Sequence, residues 1–286
     1  MISRTVRASD GVALALHRLD PAGATGRPPV LLAHGAFASH RVWLRGGRAN
    51  SGLARFLLER GHDVWLGDWR HHGSSEREPR PLQWHFEDLI ARDAPAFLAE
   101  IRRETGGTTC TWIGHSVGGA IGLALLARDP ALGPSGIVTL GTPGPVMNPL
   151  RRAVTLTTIG ICRVMGRFPA RPLRLGSEDE PALVLSEWMS WNPRGSWIGR
   201  DGFDYLGALK RDRTPWLAIA GSGDTVFAPA GACRALVARV RGVTHTLSVV
   251  GPGLSHRGLL LDPRADEECW PRIGEWIART PAALAR

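Results

Sequence analysis

The chain predicts an α/β fold, in which a mostly parallel central sheet is covered by helices on both faces and carries a helical cap insertion. Three observations lead there. Short apolar runs alternate with helical patterns, as strands buried on both faces alternate with their crossover helices. One strand–helix junction carries Gly114-His115-Ser116-Val117-Gly118, a G-x-S-x-G element. The regular alternation stops between residues 147 and 210 and then resumes. The expected organisation is a core of residues 1–146 and 211–286, with residues 147–210 as a cap or lid. Such an insertion would lie over the C-terminal ends of the strands, where open α/β sheets bind ligands.

The elements follow in order. Residues 3–9 and 12–19 alternate around Asp10-Gly11, the pattern of a hairpin at a sheet edge. Residues 21–29 are a turn-rich link. Residues 29–33 (P-V-L-L-A) read as a buried strand that runs into His34-Gly35-Ala36-Phe37. Residues 51–60 have a helical pattern, stopped by Gly61. Residues 62–67 (H-D-V-W-L-G) are the next buried strand, and residues 68–80 read as a polar loop. Residues 84–104 read as one long amphipathic helix, with Phe86, Leu89, Ile90, Phe97 and Ile101 towards the core. Residues 110–113 are strand-like, and the small apolar residues 117–127 suit a packed helix. Residues 136–140 form a strand ending at Gly141-Thr142-Pro143-Gly144. Beyond the insertion come a strand (215–221), a helix (228–239), the last strand (244–250) and a C-terminal helix (264–278). There are no internal repeats.

Composition narrows the class. A length of 286 residues suits one large α/β domain with an insertion, and 43% apolar residues allow a sizeable core. Cys110, Cys162, Cys233 and Cys269 lack C-x-x-C spacing and read as reduced and structural, in a cytoplasmic protein. No secretory signal is read at the N-terminus, and no apolar run approaches the roughly 18 residues of a membrane helix. The net charge of +9 is almost all arginine, with Lys210 the only lysine, and it is spread along the chain. Without a dense basic run, nucleic-acid binding is not expected. Membrane association is not expected either. The insertion's first part, residues 150–175, nonetheless mixes Arg151, Arg152, Arg163, Arg167, Arg171 and Arg174 with apolar residues and has no acid, a pattern that could touch an anionic interface. Nothing points to an oligomeric state.

Strand, sharp turn and helix are the context that gives G-x-S-x-G meaning. The turn strains the serine backbone and lifts its hydroxyl to the tip of the sheet, with the next amide pointing at whatever the serine attacks. A serine hydroxyl needs an adjacent base, usually a histidine held by a carboxylate. Gly221-Ser222-Gly223-Asp224-Thr225 and Gly253-Leu254-Ser255-His256-Arg257 each follow a predicted strand, so Asp224 and His256 fall at the same sheet edge as Ser116. Asp201, Asp204 and Asp212 are rivals that follow no strand. His245 lies within a strand, and His115 supports the turn. Oxyanion donors are expected from the Val117 amide and the loop after the first buried strand, with the Ala36 amide preferred and Phe37 the alternative. Phe37, Trp188, Met189 and Trp191 are candidates to line an acyl pocket. H-E-x-x-H and phosphate-binding glycine loops are absent, and His71 and His72 face apart on any regular element, so neither metal nor cofactor is expected.

These residues carry a resemblance. H-G-A-F-A-S-H-R-V-W (34–43), H-D-V-W-L-G-D-W (62–69) and the nucleophile motif resemble segments of the acid-lipase group within the α/β-hydrolase superfamily, on its serine esterase/lipase side. The order Ser116, Asp224, His256 is that of the α/β-hydrolase triad. The resemblance implies an α/β-hydrolase fold, oxyanion donors at Ala36 and Val117, and hydrolysis of small-molecule or lipid carboxylic esters through a covalent acyl-enzyme. The loop D-W-R-H-H-G-S-S departs from the acid lipases. Alternatives are the same triad acting on a thioester, amide, lactone or carbon–carbon bond, perhydrolysis, acyl transfer, a membrane-associated lipase, and a non-catalytic binder of hydrophobic ligands.

Overall fold

Apolar β-branched runs pair into one eight-stranded sheet, seen in a computed structural model that describes residues 1–20, 22, 27–77, 83–146, 148–240, 245–251 and 253–280. The strands in chain order are β1 (Ile2–Arg7), β2 (Ala13–Leu19), β3 (Arg27–Ala33), β4 (His62–Asp68), β5 (Thr111–His115), β6 (Gly136–Leu140), β7 (Arg167–Phe168), β8 (Glu180–Pro181), β9 (Trp216–Gly221) and β10 (His245–Val250). The sheet runs β1-β2-β4-β3-β5-β6-β9-β10. β1 and β2 form the antiparallel edge hairpin, β2 joins β4 antiparallel, and the pairings from β4 to β10 are parallel. Most of the turn-rich link at 21–29, and Thr244 at the expected start of β10, lie outside the described residues.

The helices are α1 (Gly52–Leu58), α2 (Phe86–Asp88), α3 (Ala94–Glu104), α4 (Val117–Arg128), α5 (Pro149–Met165), α6 (Ala182–Trp191), α7 (Tyr205–Leu209), α8 (Ala230–Arg239), α9 (Gly258–Leu261), α10 (Ala265–Glu268) and α11 (Trp270–Arg279). Strand side chains alternate between two apolar layers. Leu31, Ala33, Trp65 and Trp112 pack with Phe97 and Ile101 of α3 and Ile121 of α4. Val30, Leu32, Val64, Leu66 and Ile113 pack with Leu57 of α1 and Ile273 of α11. α4 is buried from Val117 to Ala127, so it is apolar all round rather than amphipathic.

Three expectations need correction. The helix expected over 84–104 begins at Phe86, and a π turn at Leu89–Asp93 separates α2 from α3. Pro95 stands in the first turn of α3 and has no N–H to continue the α ladder. The C-terminal helix is likewise broken at Cys269, just ahead of Pro271. The loop after β4 is polar in composition, yet Arg70, His72 and Ser75 are buried because the polar groups satisfy one another. Arg70 Nη2 donates to Asp93 Oδ1 at 2.6 Å and Nη1 to Asp10 Oδ2 at 2.9 Å, while Ser75 Oγ donates to the Asp68 carbonyl at 2.6 Å.

Within residues 148–210, Asn148 caps α5 by accepting from the Arg151 N–H at 2.8 Å, Pro149 occupies its first turn, and Gly166 ends it at φ +67°. α6 packs on α5. The segment is not purely helical, because β7 and β8 pair as a short antiparallel ribbon beside them. Among the described residues no helix is long and apolar enough to cross a membrane.

Candidate active site

Ser116 stands between β5 and α4 with φ +53° and ψ −119°, a conformation costing a non-glycine residue about 1–3 kcal/mol. Its surroundings hold it there. The Ser116 N–H donates to the Leu140 carbonyl at 2.8 Å, and Thr142 Oγ1 donates to the Ser116 carbonyl at 2.8 Å. A Cβ on Gly114 would sit 2.3 Å from Gly119 N, and one on Gly118 would sit 2.3 Å from the Ala33 carbonyl oxygen. Neither glycine position has room for a side chain, and the serine's opens into a cavity of about 740 Å³.

Asp224 lies after β9 and His256 after β10, and the parallel register of those strands carries both to the serine's edge. His256 Nδ1–H donates to Asp224 Oδ2 at 2.6 Å. That carboxylate also accepts from the Phe227 amide at 3.0 Å and the Ala228 amide at 2.9 Å. Burial works to raise Asp224, but His256 and the two amides outweigh it and hold the carboxyl below its usual range. With Nδ1 committed as donor, Nε2 is left as the acceptor. His256 and Ser116 line the same cavity. No hydrogen bond joins Ser116 Oγ to His256 among the described contacts, and bonds of this kind commonly tighten only around substrate.

The neighbouring histidines differ. Burial pushes His115 down to about 3, helped by the adjacent His256, so its ring stays neutral. Its Nε2–H donates to the His256 carbonyl at 3.0 Å, a prop for that loop. His34 is fully buried and pushed down to about 4 by burial. Of the rival aspartates, Asp201 pairs with Arg128 at the surface, Asp204 caps α7 through the Gly207 amide at 2.9 Å, and Asp212 accepts from the Thr214 amide at 2.7 Å. The side chain of His245 lies outside the described residues.

Of the two candidate amides after β3, Phe37 is committed elsewhere. Its N–H donates to Glu180 Oε1 at 2.7 Å and its φ is +64°. The Ala36 N–H has no acceptor among the described contacts, and Val117, as the first residue of α4, has none within its helix.

Glu180 and His72 are the residues that sequence reading missed. Glu180 comes from β8 in the insertion, is buried, and also accepts from His72 Nε2 at 3.0 Å. Burial opposes the protonated His72 ring, but the Glu180 carboxylate wins and raises it to about 9. No motif flags a pair separated by 108 positions. Because Glu180 grips Phe37, we expect Glu180→Gln to loosen the loop that carries Ala36, the candidate oxyanion donor, lowering kcat about tenfold with little change in KM and costing about 2–3 kcal/mol of stability. The pH dependence follows from the direction of each shift. The pair's contribution is full below pH 6.5, the ordinary histidine value, and is lost as the pH rises through about 9. Glu180 is lowered, so its share is present above its ordinary 4.5 and fades as the pH falls. The Tm gap between wild type and Glu180→Gln should therefore be widest near pH 5–6.5 and narrow above pH 9; a gap constant to pH 10 removes the ion pair from the account.

Phe37, Trp188 and Met189 line the cavity, together with Phe168 and Phe227. Trp191 does not. It is 3% exposed and packs against Phe86, with ring centroids 5.0 Å apart, and against Trp197 at 5.3 Å. Helical spacing puts Trp188 and Trp191 on one side of α6, but the 197–205 segment and α2 cover the latter. One buried group among the described residues, His17, His40 and Asp68, has ligand-type atoms within 4.8 Å of one another. Asp68 already accepts from His40 Nδ1 and the His40 amide, both at 2.7 Å, and from the Ser74 amide at 2.9 Å, which makes the cluster a strut.

The comparisons agree with this architecture. Residues 28–154 match the family described as the alpha/beta hydrolase fold. Lipase member N of Mus musculus is 33% identical over 139 residues, 44% of this chain and 34% of that protein. Gastric triacylglycerol lipase of Homo sapiens is 33% identical over 135 residues, 43% of this chain and 34% of that protein. Triacylglycerol lipase 2 of Arabidopsis thaliana is 28% identical over 215 residues, 70% of this chain and 46% of that protein. The chain thus spans less than half the length of these relatives. Two solved esterase structures share the fold: that from Exiguobacterium antarcticum has a TM-score of 0.66 at 16% identity, over 97% of this chain and 100% of its own. That from Thermogutta terrifontis has a TM-score of 0.66 at 18% identity, over 98% and 99%. From the sheet order, the turn at Ser116 and these matches, the chain has the α/β-hydrolase fold and is similar in sequence to the lipases.

Proposed function

We propose that the protein is a cofactor-independent carboxylic-ester hydrolase. The observation that carries the reading is the His256–Asp224 hydrogen bond of 2.6 Å at the wall of the cavity into which Ser116 opens. Ser116 Oγ attacks the ester carbonyl while His256 Nε2 takes its proton. Asp224 holds the ring in the required tautomer and offsets its charge. The amides of Ala36 and Val117 receive the oxyanion. His256 then protonates the leaving alcohol, and later activates the water that frees the acyl group from the serine. Residues 147–210 act as the cap and supply Trp188 and Met189 to the acyl site. The lipase relatives support an ester substrate. The reading extends to a cytoplasmic setting, supported by four free, buried cysteines.

The test combines two readouts. A fluorophosphonate probe should label Ser116, and p-nitrophenyl esters from short to long acyl chains should be turned over faster than matched amides and lactones. Labelling with turnover of amides or lactones alone would move the chemistry away from esters. Absence of labelling would favour a ligand-binding protein.

A further inference from the structure

The cavity at Ser116 has a mixed wall. Its interior is apolar, built by Val154, Ile161, Phe168, Leu185, Trp188 and Met189. Among the described residues no aspartate or glutamate lines it, yet four arginines do: Arg41, Arg45, Arg174 and Arg257. They come from three parts of the chain. Arg41 lies within the short 3-10 turn His40–Leu44 after the oxyanion loop and Arg45 ends it, Arg257 follows His256, and Arg174 belongs to the insertion. All four are exposed, which places their guanidinium heads at the mouth and not in the depth. Among the described contacts none of the four pairs with a carboxylate. Arginines elsewhere do: Arg18 with Asp63, Arg70 with Asp93, Arg77 with Glu178 and Arg128 with Asp201. Asp224, the carboxylate of the triad site, is already occupied by His256 and two amides.

The Arg174 rim is fixed, not a loose tail. Arg174 has φ +55°, and the amide of Ser177 donates to the Phe37 carbonyl at 2.8 Å. A Cβ on Gly176 would sit 2.1 Å from that same carbonyl oxygen. The insertion's rim is therefore seated on the oxyanion loop. A neutral ester would fill the apolar interior and leave four like charges around its exit with no counter-charge among the described residues.

We propose that the substrate is an amphiphilic ester whose apolar acyl chain fills the interior and whose alcohol portion carries a phosphate or carboxylate that meets these arginines. This deepens, and rests on, the ester-hydrolase reading. Hydrolysis breaks the bond between the acyl carbon and the alkoxy oxygen. The anionic alcohol leaves with the proton held by His256, and water supplies the hydroxyl of the released acid and restores the serine proton. Arg257 directly follows His256, the residue that protonates the departing alcohol, and lines the same cavity. The arginines also draw an anion in from solution, an attraction that salt screens.

Two experiments separate the parts. In the first, kcat/KM is compared for 1-decanoylglycerol and 1-decanoylglycerol-3-phosphate, with decanoyloxyacetate against its methyl ester as the carboxylate arm, all as monomers. The anionic member should be favoured by about tenfold at low ionic strength, with the ratio falling as salt is raised and in the combined Arg41→Gln, Arg45→Gln and Arg257→Gln protein. Whichever arm shows the larger ratio names the anion. A ratio of one or less, or one that neither salt nor the substitutions reduce, overturns the proposal. The second experiment needs no turnover. Trp188 lines the cavity, so tryptophan fluorescence reports binding of dodecyl phosphate or dodecanol to the Ser116→Ala protein. Tighter, salt-sensitive binding of dodecyl phosphate supports the anion site even if no ester is hydrolysed, which separates its failure from that of the hydrolase reading. Equal binding of the two, with sedimentation on phosphatidylglycerol vesicles, would mean that the arginines face a lipid surface, and the proposal falls.

Discussion

Ser116→Ala is expected to lower kcat on a p-nitrophenyl ester by about 10⁶-fold, because no other nucleophile stands in its place. The Thr142 and Leu140 contacts run to the Ser116 backbone, so the variant keeps the turn and its fold. Ser116→Gly should be equally inactive but more stable. Glycine adopts φ +53° without the roughly 1–3 kcal/mol that serine stores there, and Tm should rise by several degrees. Thermal melts and activity on the three proteins check both statements. Retained hydrolysis in the alanine variant would move the nucleophile elsewhere. A glycine variant that melts no higher than wild type would mean that the turn stores no strain.

Asp224→Asn is expected to lower kcat by about 10⁴-fold, as in other triads. All three partners of this side chain decide the outcome. The carboxylate accepts from His256 Nδ1, the Ala228 amide and the Phe227 amide, so both oxygens face donors. An asparagine must turn its NH₂ towards one of them. Facing Phe227, it leaves two donors opposed and costs about 1–3 kcal/mol of stability. Facing His256, it forces the proton to the other ring nitrogen, and Nε2 can no longer accept from the serine. Near-normal turnover would take Asp224 out of the mechanism and reopen the question of which carboxylate orients His256.

Much of the fold was legible because its signals are local. A strand buried on both faces is a run of apolar residues, as in P-V-L-L-A before the His34 loop, and a G-x-S-x-G flanked by such a run and a small-residue helix is held to one sharp turn. The breaks at Pro95 and Pro271 are local too, but the apolar period runs on across them. Trp191 failed for a different reason. Its helical position matches that of Trp188, and both touch Phe86 and Trp197, but Trp191 also packs on Tyr205, a contact made only in the tertiary structure, and lies away from the cavity.

The succession of buried sheet strands and the placement of Ser116, Asp224 and His256 at strand ends were determined by the sequence alone. Each depends on hydrophobic period, turn chemistry or position after a strand, which a few neighbouring residues specify. The grip of Glu180 on Phe37, the buried His72 pair and the four arginines at one cavity mouth were decided only by the tertiary structure. These join residues tens to over a hundred positions apart, and their energies come from burial and the absence of competing charge, which exist only once the chain has closed around them.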